Sequence, residues 1–251
     1  MCMRSDTTPA GPRNLPGIWD ATRSRITALV ADITHGQAGG AVTTVPTATV
    51  RDVLAHLVRV ASRAAEEPGR LCADAIAPPR PGGAADSVTV TELLAVWEKA
   101  AAVARGRVET DEQLASLLIT DAVMCEHDLR TTFDTPGARD DVAVKVALDE
   151  LSGRFSDRVA AAGLPPLRVT VEQWGTIVGA GRAVSCVVAD RFEFVRAMAG
   201  RRAASEITRW NWGVDPTPYL PVISESPLPA TEIRERDPRI PEHMRDREFA
   251  L

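Results

Sequence analysis

The chain has 251 residues, 45% of them hydrophobic and 25% charged, which is ordinary usage for a globular protein and excludes collagen, coiled coil and wholesale disorder. Its net charge of -5 predicts that it does not bind nucleic acid, and no apolar run approaches the roughly 18–20 residues of a membrane span. Residues 1–16 mix charges with Thr and Pro, so we expect a disordered N-terminus and a cytoplasmic protein without a signal peptide. None of the cysteines has CxxC spacing, which predicts free thiols at Cys2, Cys72, Cys125 and Cys186.

Helical signals dominate the first half of the chain. Apolar residues recur at helical spacing from residue 18 to residue 33. Three later segments begin with a Thr that is followed three residues on by Asp, Glu or Gln, the form of a capping box, at Thr49, Thr89 and Thr110. Prolines and glycines at 76–87 predict an exposed loop. Together these signals predict a four-helix bundle over 17–135, with helices near 17–34, 49–66, 89–107 and 111–131.

The second half combines helical and strand patterns, which predicts a small α/β domain over 140–215. The predicted fold class is therefore α+β, mainly α. From residue 216 to residue 251, prolines and charges without an apolar period predict a Pro-rich polar tail that is an arm or disordered. The elements predicted in the domain are helices over 142–161 and 191–199 and strand segments at 167–171 and 183–188.

His56 lies in the middle of the second predicted helix, among apolar residues that should face the bundle core. One interpretation is a buried histidine whose ring is satisfied by a neighbour. The other is a metal ligand or a general base, because bundle cores commonly hold such sites between facing helices.

The fourth predicted helix offers partners for His56. Asp121, Cys125 and Asp128 are related by i, i+4 and i+7 and therefore share one face. His127 is two residues from Cys125, about 200° around the helix, and cannot easily join them. From the pattern alone, Asp121 could equally be a surface residue and Cys125 a small core residue.

Two segments resemble the mycothiol-dependent maleylpyruvate isomerase family of the DinB-like superfamily. The first is Thr49–Val58, and the second is Phe192–Arg202, which continues into Trp210-Asn211-Trp212 and Asp215–Leu220. The resemblance covers about residues 17–222. It implies a DinB-like four-helix bundle followed by a small α/β domain.

The resemblance also implies a metal site. The family holds a divalent metal, usually zinc, with one histidine on the second helix and an acid-x-x-x-His pair on the fourth. His56 matches the first ligand and Asp121 the acid, whereas Cys125 stands where the family has histidine. A thiolate is a good zinc ligand, so His56, Asp121 and Cys125 could form a site with an open fourth position.

Three functional hypotheses follow for a small-molecule substrate. With a metal, the protein would activate a low-molecular-weight thiol, which the resemblance identifies as mycothiol, for isomerisation of or transfer to a small electrophile. Without a metal, His56 with Asp121 or Asp128 would serve as an acid/base pair, for example in a biosynthetic pathway. A non-enzymatic binding or regulatory module is the third. Arg201 and Arg202 either clamp a substrate carboxylate or are solvated residues after a helix.

Overall fold

The computed structural model describes residues 14–67, 77–172, 174–241 and 243–244. The expectations for residues 1–13, Cys2 and Cys72 lie outside these ranges. Within them the chain is mainly α-helical with a small mixed sheet, and the predicted α+β, mainly α class is confirmed. The four long helices of the first half are α1 (Leu15–Val30), α3 (Val50–Glu66), α4 (Val90–Val108) and α5 (Glu112–Thr132).

These four helices pack as a bundle. α3 lies along α4, α1 lies along α5, and α5 also contacts α3. Their apolar faces meet in one core that includes Trp19, Ile26, Leu54, Trp97 and Ile119. α5 is buried along almost its whole length, because the next helix, α6 (Val142–Ala161), and the second half of the chain cover the face that the other helices leave open.

Two of the three predicted capping boxes form. Thr49 accepts a hydrogen bond from the Asp52 backbone N–H while the Asp52 carboxylate accepts one from the Thr49 N–H, and Thr89 and Glu92 do the same. The third was predicted at Thr110 and is wrong. Asp111 is the N-cap of α5 and accepts from the Leu114 N–H at 3.0 Å, because a carboxylate one residue later takes the capping role.

A short insertion between α1 and α3 was not predicted. α1 ends at Val30, and Thr34 caps a four-residue helix, α2 (His35–Ala38), with Gln37 as its reciprocal partner. A small hairpin follows, formed by β1 (Ala41–Val42) and β2 (Val45–Thr49). This hairpin brings the buried Thr44 next to the end of α5.

The second half places a four-stranded sheet beside α6 (Val142–Ala161). The strand order is β4-β3-β5-β6, with β3 and β5 parallel and the other neighbours antiparallel. β4 and β6 were not predicted. The strands are β3 (Leu167–Val171), β4 (Trp174–Val178), β5 (Ser185–Val188) and β6 (Asn211–Trp212), and the remaining helices are α7 (Arg191–Met198) and α8 (Ala204–Thr208).

The segment after residue 216 differs from the expected arm or disordered tail. Tyr219, Ile223 and Ile233 are buried, and the Tyr219 hydroxyl donates a hydrogen bond to the carbonyl of Pro165 at 2.8 Å. Glu235 is buried as well and pairs with Arg196 in α7 and with Arg202 in the loop after it. The polar composition misled the prediction because this segment also carries apolar side chains that join the core, and because the charge of Glu235 is satisfied inside the protein.

Among the described residues, no helix combines the length and the apolar character that crossing a membrane requires.

Candidate functional site

Three chemistry-bearing side chains meet inside the bundle, between α3 and α5. His56, Asp121 and Cys125 are 1%, 3% and 2% exposed. One nitrogen, one oxygen and one sulfur atom from them lie within 4.8 Å of one another. The helical register therefore brings these residues together as the sequence predicts, and we call them the His56 cluster.

A chain of hydrogen bonds runs through the His56 ring. Nε2 of His56 lies 2.6 Å from Oδ1 of Asp121, and Nη2 of Arg59 lies 2.8 Å from Nδ1 of His56. A guanidinium group can only donate, so Nδ1 must accept and the ring proton must sit on Nε2. His56 is therefore a neutral ring that donates to Asp121.

Arg59 is a site residue that the sequence analysis did not identify. It follows His56 by three positions on α3, so the two side chains share one helix face. The signal was present in the i, i+3 spacing, but an arginine at a partly exposed helix position is ordinarily a solvated surface residue.

Burial controls the electrostatics of the His56 cluster. It raises the pKa of the Asp121 carboxyl, although His56, Arg59 and Arg201 act in the opposite direction. It also raises the pKa of the Cys125 thiol well above 9.0, and the charges of Asp121 and Asp128 add to this rise. Cys125 is therefore a neutral thiol at neutral pH.

The side of the cluster that Arg59 occupies is electropositive. Burial lowers the pKa of Arg59, and the positive charges of Arg80 and Arg63 act in the same direction. An arginine stays protonated despite such a shift. Arg63 and Arg80 thus add positive potential at Arg59, which contacts the His56 ring.

The donor types of the cluster suit zinc, but their hydrogen bonding does not. Nitrogen, oxygen and sulfur ligands are common for this ion. However, a metal-bound histidine normally donates its second ring N–H to an acceptor, whereas Nδ1 of His56 faces the donor group of Arg59. The ring proton on Nε2 also occupies the atom that would have to bind the metal. In this arrangement the residues do not fit a zinc ion.

Asp128 lies on the same face of α5 but belongs to a different set of contacts. Its carboxylate accepts hydrogen bonds from Arg196 at 2.6 Å, from Arg201 at 2.9 Å and from Thr44 at 2.6 Å. Burial alone would raise the pKa of Asp128, but Arg201 and Arg196 outweigh it and hold the pKa below its ordinary value. The predicted role of Asp128 as an acid/base partner of His56 is not supported, because this carboxylate is fixed in its ionised form.

Arg201 and Arg202 are 2% and 1% exposed, so the interpretation as solvated residues is wrong. Arg201 donates to Asp128 and to the carbonyl of Ala199. Arg202 donates to Glu193 and lies 2.6 Å from Glu235. Both arginines thus already donate to protein groups the hydrogen bonds that a substrate carboxylate would have to accept. We call the whole set the arginine–carboxylate network: Asp128, Glu193, Arg196, Arg201, Arg202 and Glu235.

Comparisons with known proteins give one structural likeness. No protein-family model matches the chain, and no curated protein sequence matches it significantly. Among solved structures, the crystal structure of a mutant of the mycothiol-dependent maleylpyruvate isomerase is similar to it, with 14% sequence identity and a TM-score of 0.49. The match covers 74% of this chain and 88% of that chain.

Proposed function

We propose that the protein is a small-molecule enzyme in which His56, held by Asp121, is the general base. The observation that carries this proposal is the hydrogen-bond chain from Arg59 through His56 to Asp121. It fixes the proton on Nε2 and leaves the basic lone pair on Nδ1, at the side where Arg59 is partly exposed.

The proposed step is a proton transfer. A substrate X–H replaces Arg59 at Nδ1 of His56, the X–H bond breaks, and Nδ1 takes the proton while the electron pair stays on X. The ring becomes an imidazolium that Asp121 stabilises through Nε2–H, the same division of roles as in a Ser-His-Asp triad. The displaced guanidinium of Arg59 then pairs with the anion on X.

The charges around Nδ1 define the substrate class. Positive potential at Arg59, to which Arg63 and Arg80 contribute, favours a molecule that is anionic or becomes so when it loses a proton. A thiol cosubstrate meets this requirement. Its thiolate would add to an activated double bond, allow rotation about the resulting single bond and leave again, which isomerises the substrate without net redox change. The sequence resemblance to the mycothiol-dependent family supports mycothiol as the thiol and maleylpyruvate as a first substrate to test.

A metal-dependent thiol isomerase or S-transferase is the second candidate, and the donor set of the cluster favours it. His56, Asp121 and Cys125 would hold the ion, and a bound zinc ion would lower the pKa of a coordinated thiol. This candidate requires Arg59 to leave Nδ1 and Nε2 to lose its proton. It also predicts that Cys125→His preserves or tightens zinc binding.

The two candidates predict different results in an assay that follows the isomerisation of maleylpyruvate with mycothiol. We expect chelator-treated protein, shown by elemental analysis to lack zinc, to keep its activity. His56→Asn should lower kcat/KM by about 10²–10⁴-fold, the usual contribution of a general base. His243→Asn removes an exposed histidine and is the matched control, for which we expect no change.

Loss of activity on chelation, with recovery only when zinc is added, would replace the first candidate by the second. Full activity of His56→Asn would reject the His56 cluster as the reaction centre. Whatever the substrate, ¹⁵N chemical shifts of the His56 ring give an independent check. We expect a protonated Nε2 and an unprotonated Nδ1 in the free protein, and the opposite tautomer would contradict the proposed step.

A further inference from the structure

The hydrogen bonds of the His56 ring decide whether the His56 cluster can hold a metal ion. Its three donor atoms, one nitrogen, one oxygen and one sulfur, are of the types that zinc binds, and they already lie within 4.8 Å of one another. The side chains of His56, Asp121 and Cys125 are all buried. The donor set is therefore complete, and what opposes zinc binding is the pair of contacts that the two ring nitrogens make.

Binding of zinc through Nε2 of His56 conflicts with Arg59. Nε2 lies 2.6 Å from Oδ1 of Asp121 and carries the ring proton. If zinc replaced this proton, the neutral ring would carry its proton on Nδ1. That N–H would then face Nη2 of Arg59, which lies 2.8 Å from Nδ1 and is also a donor. Two donors that face each other leave both groups unsatisfied, and this costs free energy inside a protein.

Binding of zinc through Nδ1 conflicts with Arg59 in a different way. The guanidinium group already occupies the position in front of that nitrogen. The ion and the guanidinium are both cations, and an arginine does not lose its proton to relieve the repulsion. Arg59 therefore opposes zinc at either nitrogen of the ring.

The contacts of Arg59 also hold it beside the ring. It follows His56 by three positions on α3, so the two side chains share one face of the helix. The negative charge of Asp121 stabilises the positive charge of Arg59. A dication bound to Asp121 would cancel this attraction and add a repulsion. Arg59 thus supplies a fixed positive charge at the ring, in the place where a metal ion would supply one.

We propose that Arg59 is the residue that excludes zinc from the His56 cluster, so that its replacement by a neutral residue converts the cluster into a zinc site. The proposal concerns the selectivity of the cluster for ions and goes beyond the proton transfer proposed above. It assigns the difference between an acid/base site and a metal site to one side chain of α3.

Zinc titration of the chelator-treated full chain, in competition with a chromophoric chelator, tests the proposal with three variants of Arg59. Arg59→Gln removes the charge and offers an amide oxygen that can accept a proton from Nδ1. Arg59→Leu removes both the charge and the donor. Arg59→Lys keeps a positively charged donor and is the matched control.

We expect the two neutral variants to bind one zinc ion per chain about 10–100-fold more tightly than the parent protein, the range over which hydrogen-bond partners of metal-bound histidines change metal affinity. Arg59→Lys should bind zinc as weakly as the parent protein. Elemental analysis after dialysis gives the stoichiometry, and circular dichroism confirms that each variant is folded.

Two further measurements locate the gained ion. Combining Arg59→Gln with Cys125→Ser should abolish the gain, whereas combining it with Cys186→Ser, which removes an exposed cysteine, should leave it unchanged. The ¹⁵N chemical shifts of the His56 ring should show the proton on Nδ1 in zinc-loaded Arg59→Gln.

Zinc binding by the parent protein as tight as that by Arg59→Gln would overturn the proposal. Folded Arg59→Gln and Arg59→Leu proteins that gain no affinity for zinc would also overturn it, as would a gain that survives Cys125→Ser. None of these results decides whether His56 is the general base, because that question rests on the activity of His56→Asn in zinc-free protein.

Discussion

Two aspartates seven residues apart on α5 are both buried, and their carboxyl groups respond to burial in opposite directions. Asp121 accepts a hydrogen bond from the neutral His56, and the pKa of its carboxyl rises. Asp128 has two arginines and a threonine, and its pKa falls. The same helix face thus carries one carboxylate whose charge is poorly compensated and one whose charge is fully compensated.

This difference distinguishes a carboxyl group that is suited to a reaction from one that stabilises the fold. Desolvation penalises a buried charge, and only close opposite charges with good hydrogen bonds offset the cost. The arginine–carboxylate network meets that condition and joins α5 to α7 and to the segment that contains Glu235. The His56 cluster does not meet it, and groups with perturbed pKa values of this kind are common at functional sites.

The largest expected effect on stability comes from breaking the arginine–carboxylate network. Glu235→Gln removes a charge that Arg196 and Arg202 share, and both arginines stay buried. We expect the free energy of unfolding to fall by about 3–5 kcal/mol, the usual cost of removing one partner of a buried ion pair. Urea denaturation at pH 7 measures it.

Glu232→Gln is the matched control, since Glu232 pairs with Arg209 at the surface only three residues away. We expect no measurable change for this variant. Equal stability of Glu235→Gln and the parent protein would show that the segment after residue 216 is not anchored by Glu235.

Lowering the pH should weaken the same network, with a smaller effect on the free energy of unfolding. The pKa of Asp128 and that of Glu235 are lower in the folded protein than in the unfolded chain, so the unfolded state binds more protons below their ordinary pKa values, about 3.9 and 4.3. Stability is fully present above about pH 5 and falls as the pH drops through this window. Each group contributes a slope of up to about 1.4 kcal/mol per pH unit.

Urea denaturation at half-unit intervals from pH 5.5 to pH 3.5 measures how steeply the free energy of unfolding depends on pH. The ¹³C resonances of the two carboxyl carbons assign this dependence to Asp128 and Glu235, because in the folded protein both carboxyl groups should titrate below their ordinary pKa values. A carboxyl resonance of Asp128 that titrates near pH 4 would contradict the ion pairing described above.

The sequence predicted those features that depend on neighbours along the chain. Apolar spacing and the boxes at Thr49 and Thr89 gave the long helices to within a few residues, and i, i+4 spacing placed Asp121 and Cys125 on one face. The contacts of Arg201, Arg202 and Glu235 could not be predicted in this way. Their burial depends on partners far apart in the chain, and in isolation each looks like a solvated charge. Arg59 was missed although its partner His56 is only three residues away, because an arginine at a partly exposed helix position is ordinarily a solvated residue.

The smallest expected effect concerns Asp121. Because the pKa of Asp121 is higher in the folded protein than in the unfolded chain, its ionised form makes folding less favourable above pH 4. Asp121→Asn removes that charge, and the amide oxygen can still accept the proton of His56 Nε2. We therefore expect the free energy of unfolding at pH 7 to stay unchanged or to rise. The same variant should lose activity, because a neutral amide cannot stabilise the imidazolium that forms during proton transfer. Urea denaturation and the isomerisation assay, run on one preparation, measure both quantities. A loss of stability comparable to that of Glu235→Gln would show that Asp121 holds the fold together as Asp128 does, and the contrast between the two aspartates would then fail.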